Sequence, residues 1–354
     1  MIDIPGSSPE SRSEPSDRVG AGRYAPSPTG DLHLGNLRTA LLAWLFARST
    51  GRRFLLRIED LDAARVRSGI AERQLADLAA LGITFDGEPV VQAQRLAAYR
   101  EALISLADRT YECFCSRREI AEAASAPHGT PARYPGTCRN LTEAERKSRR
   151  QTRRPALRLR ADGARQTIRD VLHGEITAEV DDVVLLRNDG VAAYNLAVVI
   201  DDGCSRIDQV VRGVDLLPVA ATQAYLASLL GHQPPIYAHV PLAVNAKRER
   251  LAKRDGAVTL AALAAAGMGP EAVLTLIAES LHLAAPDERI TLHMMLERFD
   301  PQVVAEIRKV LRLEDIEIRV VRTLPEAILH FSAPATPTFL PFPGAVPVTT
   351  ASAS

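Results

Sequence analysis

The stretch from Arg23 to Asn36, Arg-Tyr-Ala-Pro-Ser-Pro-Thr-Gly-Asp-Leu-His-Leu-Gly-Asn, leaves the backbone few options. Pro26 and Pro28 fix φ and each removes an amide donor, and Gly30 eases a tight turn, so a short strand must give way to a defined loop. A helix then begins near Gly35: Leu37, Leu41, Trp44 and Leu45 recur at helical spacing and predict one buried stripe behind an exposed N-terminus. Free amides and the positive end of the helix dipole would face whatever lies over the loop, an arrangement suited to phosphate. His33 adds a donor, and Gly35 lets backbone approach a ligand closely. Spacing alone fits an ordinary strand-to-helix connection equally well.

The pattern continues as strand, helix, strand, helix. Phe54–Ile58 is a short apolar run that reads as a buried strand, and it ends in Glu59-Asp60-Leu61-Asp62. Helical patterns over Gly69–Leu81 and Gln94–Leu106 follow, and Val183–Leu186 predicts a further strand. This order predicts an α/β fold, a doubly wound, Rossmann-like parallel sheet whose second half begins near Ala192. Carboxylates at the carboxyl end of such a strand face the ligand crevice, whereas an isolated acidic pair is more often a solvated turn.

A chain of 354 residues suits one large domain with an insertion. Forty-three basic residues balance forty-three acidic ones, so any contact with RNA must come from a local patch. Four cysteines at this length do not resemble a secreted disulfide framework and favour a reduced cytoplasm. Met1–Gly20 is rich in Ser, Pro and charge and reads as a disordered leader, and no apolar run reaches transmembrane length. The expected organisation is a catalytic domain over 21–235 with a metal-binding insert near 108–150 and a helical segment over 236–300. A largely disordered tail is expected over 301–354, with one amphipathic helix at 303–313.

The insert differs in kind. Cys113-Phe-Cys115 is followed by Tyr134-Pro-Gly-Thr-Cys138, and three cysteines in one small knuckle suggest metal ligands, although one intervening residue is not the usual zinc-ribbon spacing. His128 is the conventional fourth ligand on residue type. Arg139–Arg169 holds eleven basic residues, which read either as a solvated face or as a patch that tracks an RNA backbone.

The string Pro-Ser-Pro-Thr-Gly-x-Leu-His-Leu-Gly-Asn resembles the "HIGH" signature of class I aminoacyl-tRNA synthetases, in the form used by the glutamate and glutamine branch. The resemblance covers about Gly22 to Pro301. It implies that His33 and Gly35, with Asn36, bind ATP, and that Arg250-Leu-Ala-Lys-Arg254 is the "KMSKS" loop, with Arg250 on ATP and Lys253 neutralising charge as pyrophosphate departs. In this loop Arg stands for the first Lys and Ala252 for the Ser, which keeps the cation and loses a hydroxyl. The same resemblance implies a glutamate pocket of Arg23, Ser27, Glu59, Tyr194 and Arg212, with Glu59 on the α-amino group. The pairing is chemically apt, because glutamate carries two carboxylates and one ammonium.

For the knuckle, the resemblance assigns one structural zinc to Cys113, Cys115, Tyr134 and Cys138, and so prefers Tyr134 to His128. A phenol must lose its proton to bind well, so such a site depends on the cation to hold the phenolate. Within the branch, the knuckle, the segment Val-Val-Arg-Gly-Val-Asp-Leu-Leu and the short stretch after Pro301 resemble the shortened paralogues of glutamyl-tRNA synthetase. That implies a cytoplasmic, monomeric ligase. It would activate L-glutamate with ATP and Mg²⁺ without tRNA and pass it to queuosine at the wobble position of tRNA(Asp). The alternatives are a synthetase charging a tRNA 3′ end and a non-catalytic, zinc-containing RNA-binding paralogue.

Overall fold

The computed structural model describes residues 20–116, 118–120, 133–242, 244–245, 258–286, 288–302 and 329–330. Within them β1 (Ala21–Tyr24), α1 (Leu34–Ser49), β2 (Arg53–Ile58), α2 (Ile70–Ala80) and β3 (Val90–Val91) form the first parallel half. Ala21 stands opposite Arg53, and Arg57 opposite Val90. After α3 (Leu96–Ser105) come β4 (Thr110–Cys113), α4 (Glu143–Arg150), β5 (Ala156–Leu159), β6 (Arg165–Asp170), β7 (Gly174–Glu179) and β8 (Val184–Leu186). The second half runs through α5 (Tyr194–Cys204), β9 (Gln209–Gly213), α6 (Leu217–Leu229) and β10 (Ile236–Val240). β11 (Val244–Asn245), α7 (Leu260–Ala265), α8 (Pro270–Glu279), α9 (Leu292–Arg298) and β12 (Leu329–His330) complete the described elements.

Strands β3-β2-β1 and β9-β10-β6-β7 are hydrogen-bonded in those orders. A parallel bridge between Ala21 and Ile207, with Asp208 N donating to Ala21 O at 3.1 Å, joins the two groups edge to edge. Strand order therefore reverses between β1 and β9, and the carboxyl ends of those two strands open a crevice. The doubly wound expectation holds in this half.

Three expectations need correction. Helix α1 is buried on nearly every side from Leu34 to Ala47, not along one stripe. The sheet covers one flank, while the C-terminal helices cover the other, with Phe46 edge-on to Phe299 at 5.1 Å. The boundary expected at 235 cuts through the sheet, because Ile236–Val240 pairs in parallel along the whole of β9. A five-residue apolar run does not reveal by periodicity whether it is strand or helix. The insert also reaches beyond 150: β4, β5 and β8 close a three-stranded antiparallel sheet, and β6 returns beside β10, with Asp170 opposite Tyr237.

In the expected tail, Leu329–His330 pairs antiparallel with Val244–Asn245. The leader up to residue 19 and the helix expected at 303–313 lie outside the described residues. Among those described, no helix is long and apolar enough to cross a membrane.

Candidate active site and metal knuckle

A cleft of about 750 Å³ opens at the carboxyl ends of β1 and β9, and Arg23, Ser27, His33, Glu59, Tyr194 and Arg212 all line it, together with Gly35 and Asn36. Arg250 and Lys253 lie outside the described residues. The segment just after them is anchored at the cleft. Val258 O accepts from Leu34 N at 3.0 Å, and Thr259 bridges His33.

The loop between β1 and α1 is braced from two neighbours. Gln74 of α2, which is buried, donates through Nε2 to Ser27 O and Gly30 O at 3.1 and 2.7 Å, and Glu59 N donates to Pro26 O at 3.0 Å. The exposed helix start expected from sequence is more closed than that. His33 is the N-cap, its Nδ1 accepts from Asn36 N at 3.2 Å, and Asn36 Oδ1 accepts from His33 N at 3.3 Å. With Leu34 N and Leu37 N also bonded, Gly35 alone of the first four residues keeps an amide without an acceptor among the described residues. Asn36, expected on ATP, thus uses its side-chain oxygen to close the cap. The bond accepted at Nδ1 leaves Nε2 of a neutral His33 to carry the proton, on a side chain that lines the cleft.

The floor of the cleft is a buried charge cluster. Arg23 donates to both oxygens of Asp202, Nε to Oδ1 at 3.2 Å and Nη2 to Oδ2 at 3.4 Å, and Arg57 donates to the same Oδ1. Arg57 also donates twice to Glu59 Oε1, at 3.3 and 3.1 Å, so Oε2 is not drawn into that pair. Burial pushes the Glu59 carboxyl above its ordinary range despite Arg57 and Arg23, whereas at Asp202 the two arginines outweigh burial and hold the carboxyl below it. Behind them, fully buried Asp201 accepts from Arg95, Gln92 and Tyr99.

Arg212 is different. It is 5% exposed, and its partners are all uncharged: His239 Nε2 at 3.0 Å, Gln223 Oε1 at 2.6 Å and Leu216 O at 3.3 Å. Three of the five N–H donors a guanidinium offers are used, and no carboxylate among the described residues pairs with it. Arg23, Arg57 and Arg212 thus stand near Glu59 and Asp202, while Asp201, 4.0 Å from Arg57, pairs more closely with Arg95.

Sequence reasoning missed Arg57, Asp202, Gln223 and His239, and it named Glu59 as the only anion at hand. The signals exist. An arginine inside the apolar run Phe54–Ile58, and two aspartates closing Leu196–Ile200, must either leave the core or find partners.

In the insert, Tyr134 Oη lies 3.4 Å from Cys113 Sγ and 3.7 Å from Cys115 Sγ, and Cys115 Sγ lies 3.5 Å from Cys138 Sγ. The three sulfurs fall within 4.8 Å of one another, and no disulfide links them. Tetrahedral zinc with ordinary bond lengths sets sulfur–sulfur and sulfur–oxygen edges of about 3.7 and 3.5 Å, so this donor set fits one such ion. Burial pushes the Cys115 thiol up to about 12 and the Tyr134 phenol higher still, whereas at Cys113 the hydrogen bonds with Tyr134 and Arg158 outweigh burial and bring the thiol below its ordinary value. His128 lies outside the described residues.

The basic run serves mostly as internal bracing. Arg139 pairs with Asp182 at 2.7 Å, Arg150 with Glu112 and Glu143, and Arg153 with Glu119, while Arg158 stacks on the Tyr134 ring at 3.8 Å. Lys147, Arg149, Arg154, Arg165 and Arg169 stay exposed and form no salt bridge among the described residues, with Arg149 and Arg165 acting only at longer range on Glu145 and Glu179, a much thinner patch than the eleven expected.

The family described as "tRNA synthetases class I (E and Q), catalytic domain" matches residues 21–316. The chain belongs to that family. It is 60% identical to the glutamyl-Q tRNA(Asp) synthetase of Nocardia farcinica over 80% of this chain and 90% of that one. With the namesake of Cutibacterium acnes it shares 52% over 75% and 77%. A solved glutamate-tRNA synthetase from Elizabethkingia anophelis superposes with a TM-score of 0.68 at 28% identity, over 81% of this chain and 67% of that one. This class I synthetase is a ligase-type enzyme.

Proposed function

We propose that this chain activates L-glutamate with ATP and Mg²⁺, without tRNA, and transfers the glutamyl group to the queuosine base of tRNA(Asp). The observation that carries the glutamate half is Arg212, a buried cation with only neutral partners and two N–H donors to spare. Glutamate, with two carboxylates and one ammonium, brings a carboxylate to the cation that no carboxylate of the described residues pairs with.

In activation, an α-carboxylate oxygen forms a bond to the α-phosphorus of ATP and the bond from that phosphorus to the bridging oxygen breaks, releasing pyrophosphate. The side-chain carboxylate stays ionised throughout, so it is the better match for Arg212. Glu59 takes the ammonium, Arg23 stands beside it on Asp202, and Tyr194 and Ser27 border the amino acid. His33 donates from Nε2 to phosphate oxygen as charge develops there, and Gly35 brings the one open amide of the helix start. Arg250 and Lys253 are assigned to ATP and to the departing pyrophosphate by sequence. Mg²⁺ arriving with ATP supplies further neutralisation of the phosphates. Zinc in the knuckle, held by Cys113, Cys115, Tyr134 and Cys138, is structural, because a closed four-ligand set leaves no position for substrate.

The acceptor rests on the relatives: those of highest identity named above act on tRNA(Asp) by name, whereas a glutamate–tRNA ligase of Nitrosococcus oceani is 36% identical. The test has two arms. Glutamate-dependent ATP–pyrophosphate exchange in the absence of tRNA should proceed, and its absence would leave only the non-catalytic reading. Labelled glutamate should then appear on queuosine-containing but not queuosine-free tRNA(Asp); label on tRNA(Glu) would make the chain a 3′-end charging enzyme.

A further inference from the structure

Arg212 reaches the cleft from β9, but what holds it lies on the two strands behind. In β10, His239 stands in register with Arg212, and in β6, the next strand, Asp170 stands opposite Tyr237. His239 and Asp170 side chains are fully buried, and His239 does not line the cleft. Asp170 Oδ1 accepts from the amides of Leu172 and His173 at 2.9 Å each, and Oδ2 accepts from His239 N at 3.1 Å and lies 2.6 Å from His239 Nδ1.

Every contact Asp170 makes is thus with a donor, so it is an ionised acceptor and Nδ1 must carry the imidazole proton. At the other end of the ring, Arg212 Nε can only donate, and it meets His239 Nε2 at 3.0 Å. Both ends demand the same neutral tautomer. Burial keeps His239 neutral, with its ordinary titration moved down to about 4, the nearby charge of Arg212 working in the same direction and Asp170 against it. Tyr237 stacks on the ring at 5.4 Å, and His173 Nε2 lies 3.0 Å from His239 O, so the imidazole is held on one face and at its backbone.

We infer that Asp170 and His239 are positioning residues for Arg212: the Asp170–His239–Arg212 chain orients the guanidinium toward a ligand carboxylate while leaving its charge uncancelled. A carboxylate in the place of His239 would hold Arg212 equally well but would neutralise it, and an incoming carboxylate would then compete with a resident one. A neutral acceptor restrains without competing. The anionic end of the chain sits one imidazole away from the cation, where it fixes the tautomer, in the way a buried aspartate orients a histidine in other sites. The returning strand β6, an outgrowth of the insert, thereby acts on the amino-acid end of the cleft.

This inference rests on the assignment of Arg212 to the glutamate carboxylate, and the experiment separates the two. Glutamate binding is measured by calorimetry and in pyrophosphate exchange for the full chain and for Arg212→Lys, His239→Phe, His239→Gln and Asp170→Asn. His239→Phe keeps a ring on Tyr237 but no acceptor; it should weaken glutamate binding tenfold or more, with the KM for ATP within twofold and kcat within threefold. His239→Gln offers an acceptor to Arg212 and should regain most of the loss. Asp170→Asn can donate to Nδ1 and so move the ring proton to Nε2, against Arg212 Nε–H. Imidazole ¹⁵N shifts should report that tautomer change, alongside weaker glutamate binding. If Arg212→Lys leaves glutamate affinity unchanged, the carboxylate assignment falls. If Arg212→Lys weakens it while His239→Phe and Asp170→Asn do not, the positioning role falls and the assignment stands. Should His239→Phe fail to fold, Asp170→Asn decides alone: an unchanged tautomer or unchanged affinity overturns the inference.

Discussion

Replacing Asp202 by Asn tests whether the floor of the cleft is a true charge cluster. Asp202 is 8% exposed and binds two arginines that are 6% and 3% exposed, through three charge-assisted hydrogen bonds. Arg57 keeps Glu59 when Asp202 loses its charge, but Arg23 keeps no carboxylate within salt-bridge distance among the described residues, only the weaker attraction of Glu59. Breaking one partner of a buried pair costs about 3–5 kcal/mol, and the retained amide oxygen of Asn places this change near the lower end, about 3 kcal/mol. In a domain of this size that amounts to a fall in Tm of roughly 6–12 °C. Urea unfolding at pH 7 of the parent, Asp202→Asn, Arg23→Met and the double variant measures it. Removing the stranded cation together with its partner should recover part of the loss, a coupling of at least about 1.5 kcal/mol. A single-variant cost under about 1 kcal/mol, or single costs that add within about 0.5 kcal/mol, would refute the cluster as described.

Four further outcomes are expected. Glu59→Gln removes the anion assigned to the ammonium and should raise the KM for glutamate by about two to three decades while sparing ATP. In the parent, glutamate affinity should fall as pH drops through the raised pKa of Glu59, by up to about tenfold per pH unit, because only the ionised carboxylate binds ammonium; the loss should begin at a pH above that of an ordinary glutamate, and a flat profile down to the ordinary range would contradict the assignment. His33→Ala should lower the exchange kcat by about 10²–10³, with the calorimetric affinity for glutamate within twofold, since its phosphate partner gains charge in the transition state. Tyr134→Phe should weaken zinc binding at least about tenfold in chelator competition, while His128→Ala leaves it unchanged; the reverse pattern would make the histidine the ligand.

Local chemistry made much of this protein legible in one dimension. The prolines and glycines around His33 dictate a loop between strand and helix, and the alternation of strand and helix patterns predicts the Rossmann-like first half, whereas Arg23, Ser27, Glu59, Tyr194 and Arg212 were legible only through the resemblance of their motifs to a family. Cys113, Cys115 and Cys138 mark a knuckle for the same reason: soft ligands this close in sequence have few other uses. Only the tertiary structure decided the rest, because burial and partnership are properties of pairs far apart in the chain. Arg23 and Asp202 are 179 residues apart, Arg38 and Ser280 are 242 apart, and nothing local says that α1 is enclosed on both flanks or that Ile236–Val240 lies against β9. Nor could sequence tell which arginine would be neutralised by the protein itself. That depends on whether the buried partner is a carboxylate, as Asp202 of α5 is for Arg23, or a histidine kept neutral by burial, as His239 of β10 is for Arg212.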